Sequence, residues 1–272
     1  MKLTNLFTFL FLAIFSIGFV SCGGGAEESS EETTEAETPQ TEESKIGYTL
    51  TPFTESTSFP DARIPYMSFE DNQFSFGIND FKLGAQTPDA PQKMCANSAK
   101  GQHIHLIVDN GPYAAKYTYD FPYELSDGEH YVLAFLSRSY HQSIKTDKAH
   151  IAKKMTIAGA GVTAEEDITE PMLFYSRPKG SYVGKANTDK VMLDFYLKNV
   201  TLGNEYKVKV EVNGEQEFMV DTWQPYYLEG LPMGDNTVKL TLVDGSGNMI
   251  DTPLNPVERA FTLAADPAET AQ

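Results

Sequence analysis

The residues best suited to chemistry are five histidines, which all fall between positions 103 and 150 of the 272-residue chain: His103, His105, His130, His141 and His150. The first two lie in the run GQHIHLIVDNG, which predicts a β-strand ending in a turn. Because side chains alternate along a strand, these two histidines share one face. Neutral imidazole is the commonest protein ligand for transition metals, so the pair could hold an ion.

Further metal donors could join this pair, namely the histidines His130 and His141 and the sulfur donors Met94 and Cys95. Imidazole combined with thiol or thioether ligands favours copper over zinc in an extracytoplasmic protein. The spacing matches no strong metal motif. A second interpretation therefore stays open, in which the histidines are polar strand residues that face solvent or form hydrogen bonds.

The orientation of the paired histidines depends on which neighbours are buried. They point away from the core if the buried set is Ile104, Leu106 and Val108. An alignment of Asn110-Gly111 with Asn213-Gly214 would instead turn the histidines towards the core. Burial of three aliphatic side chains favours the outward orientation.

Alternating aromatic residues form a second candidate surface: Tyr117, Tyr119, Phe121 and Tyr123. On one continuous strand they would share a face. Such a face could bind a glycan or a peptide through Tyr117, Tyr119 and Tyr123. The alternative is an ordinary sandwich core whose tyrosine hydroxyls reach the rim.

No catalytic arrangement is evident in the sequence. The charged residues follow no Ser/His/Asp or Cys/His order, and Cys95 has no identifiable orienting partner. The run DGSGNMID at 244–251 spaces oxygen donors like a calcium loop but lacks the closing glutamate, so we expect a hairpin turn. We therefore expect no enzyme, and no cofactor except copper in the metal-site alternative.

The first residues indicate export from the cytoplasm. Lys2 precedes the apolar run LFTFLFLAIFSIGFV at 6–20, which is short for a transmembrane helix and typical of a signal peptide. The run ends at Ser21-Cys22, which resembles the lipobox of bacterial lipoproteins, with Phe19 as a departure. The resemblance implies that Cys22 is lipidated and becomes the mature N-terminus, anchored to a membrane.

An acidic segment follows the predicted lipidation site. Three glycines precede AEESSEETTEAETPQTEES at 26–44, which carries eight glutamates and predicts a disordered, extended linker. In lipoproteins of the Bacteroidota type, such a segment resembles a surface-export signal. These glutamates supply nearly half of the net charge of −17, and the sequence has no basic patch that would favour nucleic acid as a partner.

The rest of the chain contains an internal repeat. Short runs of β-branched and aromatic residues recur between turn residues, which predicts an all-β fold. FGINDFKLG at 76–84 matches FYLKNVTLG at 195–203 with an offset of 119, and HIHLIVDNG at 103–111 matches YKVKVEVNG at 206–214 with an offset of 103. The first copy therefore carries 16 additional residues, among them Cys95. Six or seven strands in each copy predict two tandem immunoglobulin-like β-sandwiches, with one joint sandwich as the alternative.

The predicted organisation has five parts: a signal peptide at 1–22, an acidic linker at 23–46, a first sandwich at 47–160, a second at 161–265 and a disordered tail at 266–272. With Cys22 lipidated, Cys95 is the one remaining cysteine, so no intramolecular disulfide can form. Each sandwich must therefore depend on its own core.

The first copy also resembles a narrower family, the small periplasmic domains of an uncharacterised family with a Gly-His-His-His-Leu-Leu-Ile-Asp motif and a later Pro-Gly-Lys-His-Thr-Leu strand. GQHIHLIVD at 101–109 matches the first motif, with Gln102 and Ile104 as departures, and DGEHYVL at 127–133 matches the second. His141 falls where that family has its late histidines. The resemblance implies the fold and a periplasmic history, but no activity.

These features predict a lipid-anchored protein of the cell envelope that acts as a non-enzymatic binding or scaffolding module. We expect it on the outer membrane, facing the periplasm or the cell surface. Its expected partners are the membrane, through the N-terminal lipid, and another envelope protein or a glycan. The alternative is an extracytoplasmic copper-binding protein that uses the histidines of the first copy.

Overall fold

The computed structural model describes residues 47–270 and forms an almost entirely β structure. The predicted signal peptide, Cys22 and the acidic linker lie outside these residues. In chain order, the strand before the first sandwich and the strands within it are β1 (Thr49–Pro52), β2 (Arg63–Glu70), β3 (Gln73–Asn79), β4 (His103–Val108), β5 (Ala114–Lys116), β6 (Asp120–Pro122), β7 (Gly128–Ser137), β8 (His150–Ala158) and β9 (Gly161–Asp167). A short 3-10 helix spans Ala90–Gln92.

The second sandwich follows directly. Its elements are β10 (Met172–Arg177), β11 (Gly180–Val183), α1 (Lys185–Thr188), β12 (Lys190–Lys198), β13 (Tyr206–Val212), β14 (Gln216–Val220), β15 (Tyr226–Glu229), β16 (Gly234–Asp244) and β17 (Val257–Ala264), with α2 (Pro267–Thr270) after them. Within residues 47–270 no helix has the length and apolar character needed to cross a membrane.

Each sandwich consists of two sheets, which confirms the predicted fold class. The first sandwich pairs a sheet of order β2-β3-β6 with a sheet of order β5-β4-β7-β8-β9. The second pairs β1-β15-β12-β10 with β11-β17-β16-β13-β14. Strands β4, β5, β7 and β8 therefore correspond to β13, β14, β16 and β17, so the sequence repeat is also a structural repeat.

The repeat is aligned one residue differently from the sequence prediction. The hairpin after β4 has Asp109 and Asn110 at positive φ, and the hairpin after β13 has Asn213 and Gly214 there. Asp109 therefore matches Asn213, and the predicted match of Asn110 with Asn213 is wrong. The reason is that each strand ends in a β-turn whose two central residues have positive φ, whichever of them is asparagine. The turns are closed by hydrogen bonds from Gly111 N to Val108 O at 2.8 Å and from Glu215 N to Val212 O at 3.0 Å.

Sheet membership also differs from the predicted domain division. Strand β1 pairs with β15 and so belongs to the second sandwich, although it lies within the predicted first domain. Strand β9 pairs with β8 and extends a sheet of the first sandwich, although it lies within the predicted second domain. Backbone pairing, which sequence periodicity does not reveal, decides both assignments.

Apolar packing joins the two sandwiches. Ile104 and Leu106 of β4 are buried in the first core, as predicted. The opposite face of that sheet packs against β10 and β12 in a separate apolar cluster, whose buried members include Ile107, Leu133, Phe135, Met172, Phe174 and Tyr196.

Polar contacts fix the same interface. The side chain of Asn110 donates to Leu173 O at 2.8 Å and accepts from Tyr175 N at 2.7 Å. Arg259 donates from Nη2 to Asn110 O at 2.7 Å. These contacts hold strand β10 against the histidine-bearing sheet.

Candidate metal centre

Three imidazoles converge at the interface between the sandwiches. His103 Nε2 lies 2.8 Å from His105 Nε2 and 3.1 Å from His141 Nδ1, and all three nitrogens lie within 4.8 Å of one another. Ligand nitrogens about 2.0–2.1 Å from a tetrahedral ion lie about 3.3 Å apart. His103 Nε2 therefore lies nearly as far from each of the other two nitrogens as ligands of a shared ion do, whereas the nitrogens of His105 and His141 would have to move closer together.

Strand β4 positions two of these ligands. His103 and His105 point away from the first core, as predicted, but both are completely buried rather than exposed to solvent. Strand β10 of the second sandwich contacts His105, with Ser176 Oγ 3.3 Å from His105 Nδ1, while Tyr117 and His141 pack against His103. The second sandwich thus closes a face that the first sandwich leaves open.

The third ligand comes from a tight turn after β7. His141 has a φ of 69°, a left-handed conformation that is uncommon for residues other than glycine. Two backbone hydrogen bonds hold the turn, from Arg138 N to Gln142 O and from His141 N to Arg138 O, both 2.9 Å long. The turn presents the His141 ring edge-on to His103, with ring centroids 4.8 Å apart.

Hydrogen bonds and ring contacts fix the orientation of the imidazoles. His103 Nδ1 donates to Gly101 O at 2.8 Å, because a carbonyl oxygen only accepts, and Nε2 is left with a free lone pair. Metal-bound histidines typically make such a bond from their other ring nitrogen. Tyr113 stacks on His105 with centroids 3.6 Å apart, and its hydroxyl lies 3.3 Å from His141 Nδ1.

Burial keeps all three imidazoles neutral at pH 7. It lowers the pKa of His103 to about 4 and lowers the pKa values of His105 and His141 well below the ordinary value. The positive charges of Arg177 and Lys179 act in the same direction on all three pKa values. Neutral imidazole is the form that binds metal, so an ion need displace no proton from the ligands.

His130, a predicted ligand, lies elsewhere. Its Nδ1 is 2.6 Å from Asp109 Oδ2 and its Nε2 is 2.9 Å from Ser126 O. In the second sandwich Asn236 makes the equivalent contacts, to Asn213 at 3.0 Å and to Pro232 O at 2.9 Å. His130 therefore braces a hairpin, as the corresponding asparagine does in the other copy.

The predicted sulfur ligands also lie apart from the three imidazoles. Met94 is exposed and lines a pocket of about 480 Å³ beside Lys185 and Lys190. Cys95 is buried in a different apolar cluster, with Phe53, Tyr140, Met192 and Tyr227. Burial raises the pKa of its thiol to about 12, which leaves it protonated at neutral pH.

The predicted aromatic surface is not continuous. Strand β5 ends at Lys116 and β6 begins at Asp120 in a different sheet, so the tyrosines follow a crossover rather than one strand face. Tyr117 Oη bonds to Ser98 Oγ at 2.7 Å, and the Tyr117 ring lies 4.9 Å from His103. Tyr123 packs edge-on against Phe74, and Tyr119 is exposed.

Several residues near the site were not predicted from the sequence. They are Tyr113 in the first sandwich and Ser176, Arg177 and Lys179 in the second. Ser176 lies 71 positions from His105 in the chain, and Tyr113 lies 28 positions from His141, so no local spacing marks these hydrogen bonds. The stacking of Tyr113 on the nearby His105 depends on the path of the chain after β4.

Comparisons with known proteins establish no family. No family model matches the chain, and no curated protein matches it. Among solved structures, it is similar to the fibronectin(III)-like modules of Clostridium thermocellum CbhA, with 12% identity and a TM-score of 0.28 over 75% of this chain and 94% of that one.

A second similarity is to the Bacteroides ovatus mixed-linkage glucan utilization locus protein SGBP-B, solved with a mixed-linkage heptasaccharide. It has 9% identity and a TM-score of 0.21 over 80% of this chain and 71% of that one. With TM-scores this far below 0.5, neither similarity carries an argument about function.

Proposed function

We propose that the protein is an extracytoplasmic binding module for a transition-metal ion, held by His103, His105 and His141. The observation that supports this most directly is the convergence of three neutral ring nitrogens within 4.8 Å. His103 Nε2 has one lone pair and lies within hydrogen-bond distance of two other ring nitrogens, so it can fully accept a hydrogen bond from only one of them. A bound ion would accept a lone pair from all three nitrogens.

Copper is the preferred ion. Imidazole ligands suit copper. The three ligands are neutral, and the nearby side chains of Arg177 and Lys179 are positive. Burying a monovalent ion among them costs less than burying a divalent one, which favours the cuprous state.

The environment proposed for this site is the cell envelope. The proposal rests on the signal-peptide pattern and on Cys22, whose lipid chains would tether the domains to a membrane. The function is non-enzymatic in this proposal, because the imidazoles are enclosed between the sandwiches. Binding of a glycan or of another envelope protein stays a prediction from the sequence.

Metal entry would occur at the His141 turn. His103 and His105 are completely buried, whereas His141 is partly accessible and belongs to a loop rather than to a sheet. Loops open at lower cost than strands in the middle of a sheet. Exchange of the ion is therefore expected to be slow and to depend on this turn.

The test is a thermal-unfolding titration of the metal-free mature protein with cuprous and zinc ions. An ion at about 100 times its dissociation constant stabilises the fold by roughly 2.7 kcal/mol, a rise of several degrees in Tm. His141→Ala should abolish the rise, while His150→Ala, which removes a histidine outside the cluster, should preserve it. A Tm unchanged by both ions would refute the proposal.

X-ray absorption would identify the ligands of the loaded protein. Three nitrogen neighbours at about 2.0 Å are expected, without a sulfur shell. A sulfur ligand would contradict the assignment, because it would require Met94 or Cys95 to reach the ion.

A further inference from the structure

Arg177 is a buried cation with unused hydrogen-bond donors. It ends strand β10, and its Nη2 donates to Tyr182 Oη at 2.7 Å. Its Nε and Nη1 have no hydrogen-bond partner among residues 47–270, although the side chain is almost completely buried. A buried guanidinium with unsatisfied donors is costly, so something outside the described chain is expected to satisfy it.

A second unused donor lies two positions away on the same strand. The hydroxyl of Tyr175 is fully buried and also lacks a partner within the described residues. Burial raises the pKa of this hydroxyl well above its ordinary value, even though Arg259 and Arg177 oppose the shift. The hydroxyl is therefore protonated and able to donate.

Positive charge surrounds these donors. The Arg259 guanidinium lies 4.4 Å from the Tyr175 ring, and Lys179 Nζ lies 4.1 Å from the Tyr113 ring, which stacks on His105. Within residues 47–270, neither arginine nor Lys179 forms an ion pair with a carboxylate. Among the described residues, these three cations thus lack a negative counter-charge.

We propose that a small oxyanion of the size of formate or bicarbonate binds at Arg177, on the strand that contacts His105, with the Tyr175 hydroxyl as a further donor. Its oxygens would accept from the unpartnered Nε, Nη1 and Oη donors, and its charge would offset Arg177, Arg259 and Lys179. The proposed anion site depends only on these contacts and not on metal binding. Its second consequence rests on the proposed function: an occupied anion site supplies the negative charge that the neutral metal ligands lack, so anion and metal bind cooperatively.

The first experiment measures Tm of the metal-free mature protein against sodium formate, with sodium chloride at equal ionic strength as the reference. Formate should raise Tm saturably by several degrees beyond chloride. Arg177→Met should abolish this rise, and Tyr175→Phe, which removes only the hydroxyl, should weaken it. An equal effect of the two salts would overturn the proposal.

Arg138→Met is the matched control. Arg138 is also a buried arginine, but its Nε and Nη2 donate to Thr57 O and its Nη1 donates to Ser143 O. This variant should lose stability yet keep the formate response. In contrast, Arg177→Met should be no less stable than the wild type without formate, because it replaces an unpaired buried charge by an apolar chain. A formate response retained in Arg177→Met would also overturn the proposal.

The second experiment measures zinc affinity with and without saturating formate. Cooperative binding predicts a dissociation constant at least about five-fold lower in formate, and an equal gain in formate affinity when zinc is bound. Zinc affinity independent of formate would overturn the coupling and leave the metal function intact. A formate response without any metal binding would support the anion site and reject the metal function.

Discussion

Strands β4 and β13 occupy the same place in the two sandwiches, yet their outer faces meet different surroundings. Both turn alternate aliphatic residues into their own core, such as Leu106 in the first and Val210 in the second. The outward residues of β13 are Lys207, Lys209 and Glu211, which remain partly exposed. The outward residues of β4 are His103, His105 and Ile107, which are completely buried under the second sandwich.

The difference shows why the candidate site lies in one repeat and not in the other. At the surface of β13, Lys209 pairs with Glu217 at 3.1 Å and Lys239 pairs with Glu211 at 3.1 Å. Such partly exposed ion pairs at a surface contribute little to stability. On β4 the same outward positions carry imidazoles, which burial keeps neutral, so their ring nitrogens are available to a ligand.

The largest expected effect is the loss of stability when an ion pair is broken between the sandwiches rather than at the exposed surface of β13. Between the sandwiches, the fully buried Asp194 accepts from Lys145 Nζ at 2.6 Å and from Ser143 N at 2.8 Å. Asp194→Ala would leave a buried lysine unpaired, at a cost of about 3–5 kcal/mol in the free energy of unfolding. Glu217→Ala should cost about 0–1 kcal/mol. Urea denaturation measures both, and equal losses would contradict the contrast between covered and open faces.

The second-largest expected effect is a loss of folding stability in acid, caused by the buried His103. The pKa of His103, lowered to about 4 by burial, lies below the value near 6.5 expected in the unfolded chain. The unfolded chain therefore binds a proton first, so stability falls as the pH drops below about 6.5 and levels off near 4. The loss from this residue is about 3 kcal/mol. It is measured as the difference in free energy of unfolding between wild type and His103→Gln at pH 7 and pH 4.5. A pH-independent difference would argue against burial.

The smallest effect concerns the hairpin brace that the two sandwiches share. Burial alone would lower the pKa of His130, but its hydrogen bonds to Asp109 and Ser126 raise it above the ordinary value. This stabilisation is present below the unfolded pKa and is lost as the pH rises through the folded pKa. His130→Asn, which copies Asn236, should therefore be less stable than wild type at pH 5.5 by under about 1 kcal/mol.

Measurements at high pH test the same hydrogen bonds of His130 with Asp109 and Ser126. At pH 8.5 the two proteins should have equal free energies of unfolding in urea, because His130 is then neutral like asparagine. A His130→Asn variant that lost metal binding would be the contrary result, since it would return His130 to the candidate site.

The sequence predicts much of the fold because strand periodicity is a local property. Alternation placed Ile104 and Leu106 in the first core and the paired histidines on the other face, and turn residues revealed two copies. The predicted match of Asn110 with Asn213 was wrong because the amino-acid sequence of a turn does not show which of its residues adopt positive φ. The sheet membership of β1 and β9 depends on pairing across distant segments.

The residues of the candidate site also fall into those that the sequence predicted and those that it did not. His103 and His105 were predicted as one pair of candidate ligands because two residues separated by one position on a strand must share a face. Sequence spacing could not decide whether His130 or His141 is the third candidate ligand, because both follow the pair on the chain. Strand β7 places His130 at the far end of the sheet, whereas the turn after β7 brings His141 back to β4. Tyr117 and Tyr119 looked like a strand face because a crossover between sheets leaves no mark in the alternation of aromatic residues.

By itself, then, the sequence determined the strands, the repeat and the inner and outer faces, because each follows from backbone geometry over a few residues. Only the tertiary structure decided that the outer face of β4 is buried, that His141 completes the cluster and that Arg177 lies beside it without a carboxylate. Those properties depend on how one sandwich packs against the other. Burial sets the protonation of the imidazoles and the cost of an unpaired charge, and no stretch of sequence specifies burial across an interface.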